Sequence, residues 1–231
     1  FPGVSVAEEF LARDGANEVL FVGTEKGIES RVVPQLGMNL ACISAAGVRG
    51  KSGLAKLKGL ALFVFGYSQS REILKKFRPD LVLGVGGYAS APLCLAARGM
   101  QISNFIHEQN AIPGMTNRLL ARVSGKVFIS LEESRKFFPE GKVMLTGNPL
   151  RRAILEQVDE TDVEQPTPRR GKKFNLLVFG GSQGASSINQ AIISSLPSLG
   201  GSVESLSIVH QTGQSDQAEV AEAYRRHGLE A

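Results

Sequence analysis

Short apolar runs alternate along the chain with stretches whose apolar residues recur at helical spacing. Runs at 18–22, 40–44, 81–85, 102–106, 126–129 and 143–146 predict strands. Stretches at 4–12, 53–77, 91–97, 115–121 and 131–137 predict helices. Such alternation predicts an α/β protein with a mostly parallel, doubly wound sheet. The pattern breaks at 159–173, DETDVEQPTPRRGKK, which has two prolines, many charges and no apolar period. A second strand–glycine loop–helix unit follows, with strands at 176–179 and 206–209 and helices from about 186 and over 215–226. The expected division is a domain over 1–150, a linker over 151–172 and a second Rossmann-like domain over 173–231. Helix 4–12 has no strand before it, and two βα units are few for a doubly wound half, so both domains are expected to be incomplete.

Composition changes this picture little. The 231 residues are 42% hydrophobic and 21% charged, ordinary for a folded chain. No run of 18 apolar residues occurs, so no spanning helix is expected, and the opening FPGVSVAEEF lacks the basic start of a secretory signal. Cys42 and Cys94 stand far apart, outside any CxxC pair, which reads as two buried core thiols in a reducing compartment. Charge is more informative. Residues 49–78 hold eight basic side chains against Glu72 alone, within a chain whose formal net charge is +4. A local basic field of this kind suits an anionic membrane, a nucleic acid or a phosphorylated ligand.

In parallel α/β sheets ligands bind beyond the carboxyl ends of the strands. The residues there are therefore the candidates. GVGGYAS (84–90) offers three glycines and a helix start, suited to close approach by an anion. Gly84, Gly86 and Ala89 also satisfy G-x-G-x-x-A, with Glu108 a further 19 residues on, so a dinucleotide-dependent oxidoreductase is an open alternative. HEQN (107–110) puts four hydrogen-bonding side chains at one strand end, followed by Asn117 and Arg118 on a helix start. GNPLRR (147–152) presents Arg151, whose planar fork suits phosphate. GGSQGAS (180–186) has the composition of a phosphate cradle around Ser182 but lacks the Lys-Ser/Thr ending of a P-loop. HQTG (210–213) repeats the placement, leaving His210 open between ligand and structural roles, while His227 reads as a solvated helix end. A non-catalytic nucleotide-binding module is the other alternative. Few aromatics and no nucleic-acid motif argue against a nucleic-acid partner, and the absence of an Asp-x-Asp pair at a strand end argues against a catalytic metal.

Eight motifs in series, FPG, VRGK (48–51), LGVGGYAS, HEQN, TNR, GNPLR, GGSQGA and HQTG, resemble the MurG family over essentially the whole chain. The resemblance implies a GT-B-like fold of two Rossmann-like domains. It implies an inverting transfer of N-acetylglucosamine from UDP-GlcNAc to undecaprenyl-pyrophosphoryl-MurNAc-pentapeptide, lipid I to lipid II. By that resemblance Asn110, Arg151 and Ser182 contact the donor, while Gly86, Gly87, Tyr88 and Asn117 are on the acceptor side. His107 and Glu108 are supporting catalytic candidates, and Asn189 is a further polar position. The family's GGTGGH loop, which carries a histidine proposed as base, is not in this sequence, so the catalytic base is left unassigned and the chain alone is expected to be inactive. No tightly bound cofactor is implied, and divalent-metal stimulation stays open. The implied partners are UDP-GlcNAc, lipid I, anionic inner-membrane lipids and other cell-wall synthesis proteins, with peripheral attachment at the cytoplasmic membrane face. The candidate docking segment is 49–67, where Arg49, Lys51, Lys56 and Lys58 adjoin Leu54, Leu57, Ala61, Phe63 and Phe65.

Overall fold

The computed structural model describes residues 2–45, 53–155, 173–181, 184–200 and 205–229. The chain divides into two compact units, Phe1–Asp162 and Val163–Ala231. The first unit opens with helix α1 (Pro2–Arg13), strand β1 (Leu20–Gly23), helix α2 (Glu29–Gln35) and strand β2 (Asn39–Cys42). It continues with α3 (Gly53–Phe77), β3 (Leu81–Gly84), α4 (Ser90–Gly99), β4 (Ser103–Glu108) and α5 (Met115–Leu120). Next come β5 (Val127–Ile129), a 3-10 turn (Glu132–Phe137), β6 (Val143–Leu145) and α6 (Arg152–Leu155). The second unit has β7 (Phe174–Phe179), α7 (Ser186–Leu199), β8 (Leu206–Gln211) and α8 (Gln217–Arg226).

Every strand pair is parallel. β3, β4, β5 and β6 form one sheet in chain order, β1 and β2 a second, and β7 and β8 a third. A cavity of about 750 Å³ lies between β1 and β3, lined by Val4, Ala7, Phe21, Leu83 and Leu93 among others. The core of the first unit is built on small residues of α4. Cys94, Ala96 and Ala97 are fully buried and let this helix approach Ile106 of β4 and Val127 and Ile129 of β5. Lys142, just before β6, donates from Nζ to the carbonyls of Ala121, Arg122 and Ser124 at 3.3, 3.0 and 2.8 Å. A cation thus satisfies carbonyls left without partners where α5 ends. The second unit packs Val178 and Ile208 of its strands against Leu196, Val220 and Tyr224 of its helices.

Several expectations shift. Cys42 is exposed at the end of β2, while only Cys94 is a core thiol, its pKa pushed up to about 12 by burial. The stretch at 131–137 is a 3-10 turn, and α2, interrupted by Pro34, had too short an apolar period to read as a helix. Helix α6 falls within the stretch expected to be linker; the rest of that stretch, 156–172, lies outside the described residues.

Helix α3 turns Gly59, Gly66, Ser70 and Leu74 inward. A Cβ on Gly66 would stand 2.3 Å from the Ser44 carbonyl oxygen, so the glycine sets how closely α3 approaches the chain after β2. Its outward positions include the large apolar Leu60, Val64 and Phe65, each about 60% exposed. Phe63, expected on the docking surface, is only partly exposed because it lies on the flank of this stripe. Replacing Gly66 with Val should lower unfolding free energy by about 1–3 kcal/mol through overpacking. Urea denaturation checks this, and an unchanged midpoint would show that α3 can shift away without cost.

Candidate functional site

At the carboxyl end of β4 the chain places His107 and Glu108 side by side, 3% and 2% exposed. Glu108 has no cation partner among the described residues. Its two oxygens instead collect four N–H donors. Oε1 accepts from the Asn110 backbone N at 3.0 Å and from Asn110 Nδ2 at 2.8 Å. Oε2 accepts from the Gly114 N at 3.2 Å and from Asn117 Nδ2 at 3.0 Å. Burying a charge is costly unless such bonds replace its water. The carboxylate therefore ties the loop after β4 and the first turn of α5 to the strand. His107 is equally committed. Its Nε2 lies 3.2 Å from the Gly147 carbonyl and must donate to it, while Nδ1 accepts from Gln109 Nε2 at 2.8 Å. This neutral tautomer links β4 to the turn after β6. Burial holds the pKa of His107 below its ordinary value. Both candidates thus spend their polar side-chain atoms on hydrogen bonds within the protein. Arg118 is also tied down, with its guanidinium 4.3 Å from the centre of the Phe137 ring and its Nε donating to the Pro113 carbonyl.

Beside this clamp runs the glycine loop between β3 and α4. Gly86 and Gly87 have φ of 92° and 80°, a conformation that side chains rarely adopt. The Ser90 hydroxyl closes the loop by donating to the Gly86 carbonyl. A Cβ on Gly86 would stand 3.8 Å from Asn117 Nδ2, so the loop and the β4 clamp adjoin. Tyr88 stands out from the loop, 62% exposed. Of the expected donor contacts, Asn110 is exposed at the lip of the clamp, and Arg151 is exposed immediately before α6. Ser182 lies outside the described residues, as does VRGK at 48–51.

In the second unit, Gly184 sits at φ 73° against the chain after β8, where a Cβ would meet the Thr212 carbonyl oxygen at 1.9 Å. Asn189, 1% exposed on α7, holds that chain in place. Its Nδ2 donates to the Thr212 carbonyl at 2.9 Å and to Asp216 at 2.8 Å, and its Oδ1 accepts from His210 Nε2 at 3.1 Å. His210 Nδ1 then accepts from the Tyr224 hydroxyl at 2.9 Å. His210 is thereby structural, and Asn189 works through the loops it joins. Asp216, held below its ordinary pKa by hydrogen bonds from Ser186, Asn189 and Ser215, stands at the start of α8. Asp216 and Tyr224 were not singled out from sequence, and Thr212 only as part of HQTG; an aspartate at a helix start was the one signal for Asp216. The expected dinucleotide role of Glu108 fails, because its oxygens are consumed inside the protein.

Parallel Rossmann-like α/β units with glycine loops at their strand ends define a GT-B-like fold. Residues 1–129 match the glycosyltransferase family 28 N-terminal domain and residues 175–230 its C-terminal domain. The chain belongs to glycosyltransferase family 28. It is 64% identical over 231 residues to a protein of Geotalea uraniireducens named UDP-N-acetylglucosamine--N-acetylmuramyl-(pentapeptide) pyrophosphoryl-undecaprenol N-acetylglucosamine transferase. It is 63% identical to the protein of the same name from Geobacter sulfurreducens. Each match covers all of this chain, which spans 62% and 63% of those relatives. The crystal structure of Acinetobacter baumannii MurG superposes with a TM-score of 0.69 at 26% identity, covering 99% of this chain and 59% of that one. A UDP-GlcNAc 2-epimerase from Neisseria meningitidis shares the fold, with a TM-score of 0.61 at 16% identity over 99% of this chain and 67% of that one.

His107 and His210 provide a pH test. Burial lowers both pKa values below the ordinary 6.5. The unfolded chain then binds protons more readily than the folded one. Their contribution to stability is present above about pH 7 and is lost as pH falls through 6.5 and below. Urea midpoints should drop between pH 7.5 and 5.5, and His210→Gln should flatten the part of that drop belonging to the second unit. A midpoint that is constant or rises on acidification would refute this.

Proposed function

We propose that this chain is part of an inverting hexosyltransferase that moves N-acetylglucosamine from UDP-GlcNAc to the muramyl 4-hydroxyl of lipid I, giving lipid II in peptidoglycan synthesis. The observation that carries the reading is the 64% identity, over the whole chain, to a relative whose name states this transfer. The site chemistry supports it. Departure of a nucleoside diphosphate calls for fixed positive charge and oriented donors. Arg151 and Ser182 are assigned to the donor diphosphate and Asn110 to the donor. The open loop of Gly86, Gly87 and Tyr88, with Asn117 behind it, is assigned to the acceptor. Asn189 supports the second glycine loop. Because His107 uses both ring nitrogens internally, the base that takes the acceptor proton is sought elsewhere.

Transfer of radiolabelled sugar to a lipid acceptor analogue by the whole protein tests the reading, and its absence under conditions where relatives turn over would defeat it. Within that assay, Arg151→Ala should weaken UDP binding by roughly ten- to a hundredfold, from loss of a charge-assisted bond worth on the order of 1.5–3 kcal/mol. Ser182→Ala should weaken it less. Unchanged UDP affinity in Arg151→Ala would remove that residue from the donor site.

We further infer peripheral attachment to an anionic cytoplasmic leaflet. No described helix is long and apolar enough to cross a membrane. The support is the outward stripe of Leu60, Val64 and Phe65 on α3, beside the basic stretch at 49–58. Arg49, Lys51 and the side chains of Leu54, Lys56, Leu57 and Lys58 lie outside what is described. Leu60→Ser with Phe65→Ser should release the protein from phosphatidylglycerol vesicles with little change in melting temperature. Unaltered co-sedimentation would place the docking surface elsewhere.

A further inference from the structure

We propose that Glu108 is a positioning residue whose buried carboxylate fixes the orientation of the Asn110 side-chain amide. Asn110 then meets its ligand as a hydrogen-bond acceptor, selecting an O–H or N–H group rather than a phosphate oxygen. This rests on the sugar-nucleotide reading above and specifies which part of that ligand Asn110 touches.

The two ends of an asparagine amide are nearly equal in size, and only their partners decide which faces where. Here the partner is unambiguous. Apart from the Asn110 amide, three N–H donors already meet the two oxygens of Glu108: the backbone N of Asn110 and of Gly114, and Asn117 Nδ2. A carboxylate so surrounded only accepts. Asn110 Nδ2 must therefore point inward at Oε1, 2.8 Å away, because the reverse would set two oxygens against each other. The Asn110 backbone N binds the same oxygen at 3.0 Å, so backbone and side chain are pinned together. Oδ1 is left as the polar atom of that side chain outside the clamp, on an exposed residue. An amide oxygen repels the oxygens of a diphosphate and accepts from a sugar hydroxyl or an acetamido N–H. The same carboxylate orients a second amide. Asn117 spends Nδ2 on Glu108 Oε2 and the His107 carbonyl, and its Oδ1 is buried without a hydrogen-bond partner. One buried carboxylate thus orients two neighbouring amides, that of Asn117 inside the protein and that of Asn110 on an exposed residue.

Calorimetric titration of the whole protein with UDP-N-acetylglucosamine and with UDP separates the outcomes. Glu108→Gln brings an NH₂ group into the clamp, which can donate to Asn110 Oδ1 and turn its amide round. It should lower affinity for the sugar nucleotide about tenfold, the value of one hydrogen bond, and leave UDP affinity within about twofold. Asn110→Ala should show the same selective loss, and the double variant should lose no more than either single one. Asn110→Asp, at an exposed position, tests the clamp without altering the buried carboxylate. Its side chain, lacking an N–H, cannot be held by Glu108, and the variant should lose the same preference for sugar nucleotide over UDP. If both ligands weaken equally in Glu108→Gln and in Asn110→Asp, the role of Glu108 is merely structural and the proposal falls. It falls also if Asn110→Ala loses the preference while both clamp variants keep it. A wild-type protein that binds neither ligand instead overturns the sugar-nucleotide reading itself.

Discussion

A carboxylate buried at a strand end must have hydrogen-bond donors around it, and that requirement shapes the strand-end edge of the first unit. Glu108 has no cation beside it among the described residues, so each of its bonds comes from an N–H. Those N–H groups belong to the loop after β4 and to α5. Satisfying the charge therefore fixes the loop, the helix start and two side-chain amides at once. These bonds hold the segment from Gln109 to Gly114 in one conformation, and a loop ordered in advance adds no ordering cost to binding.

The second unit solves a comparable problem with a neutral group. Asn189 has two donors and an acceptor, and each meets a different partner: the Thr212 carbonyl, Asp216 and His210. A neutral amide suits this place because it must both give and receive. At Glu108 everything around the site donates, so a carboxylate fits. In both units glycines with positive φ lie next to the clamp, Gly86 and Gly87 in one and Gly184 in the other. The division of labour is physical. Gly86 and Gly87 leave their loop bare of side chains, Gly184 lets its loop pack against the Thr212 carbonyl, and the buried clamps hold the neighbouring chain in place.

Much of the fold was legible because parallel strands are apolar on both faces and stand out against helical spacing. Runs at 81–85 and 102–106 correspond to β3 and β4 within one or two residues. What escaped was short or locally ambiguous. Helix α2 has seven residues with Pro34 inside, and α6 has four, too few for a period to register. The 3-10 turn at Glu132–Phe137 has helix-like composition but stops at extended Phe138, the residue before Pro139. Cys42 read as core because free thiols usually are, yet it ends β2, where burial depends on what packs above rather than on residue type.

The site was legible in position and less so in role. Strand ends and glycine loops marked HEQN and GGSQGA, since chemistry collects where parallel strands stop. A sequence cannot say which of four consecutive polar residues turns inward. His107 and Glu108 look like acid–base groups in the one-dimensional record, but a strand's pleat and a following loop bury both and expose Asn110. The partners that decide this are remote: Gly147 is forty residues from His107, and Tyr224 is fourteen from His210. A titratable residue at a strand end therefore marks a candidate position while leaving its part to be settled by its neighbours. Where those neighbours all donate, as around Glu108, the residue orients the amide beside it.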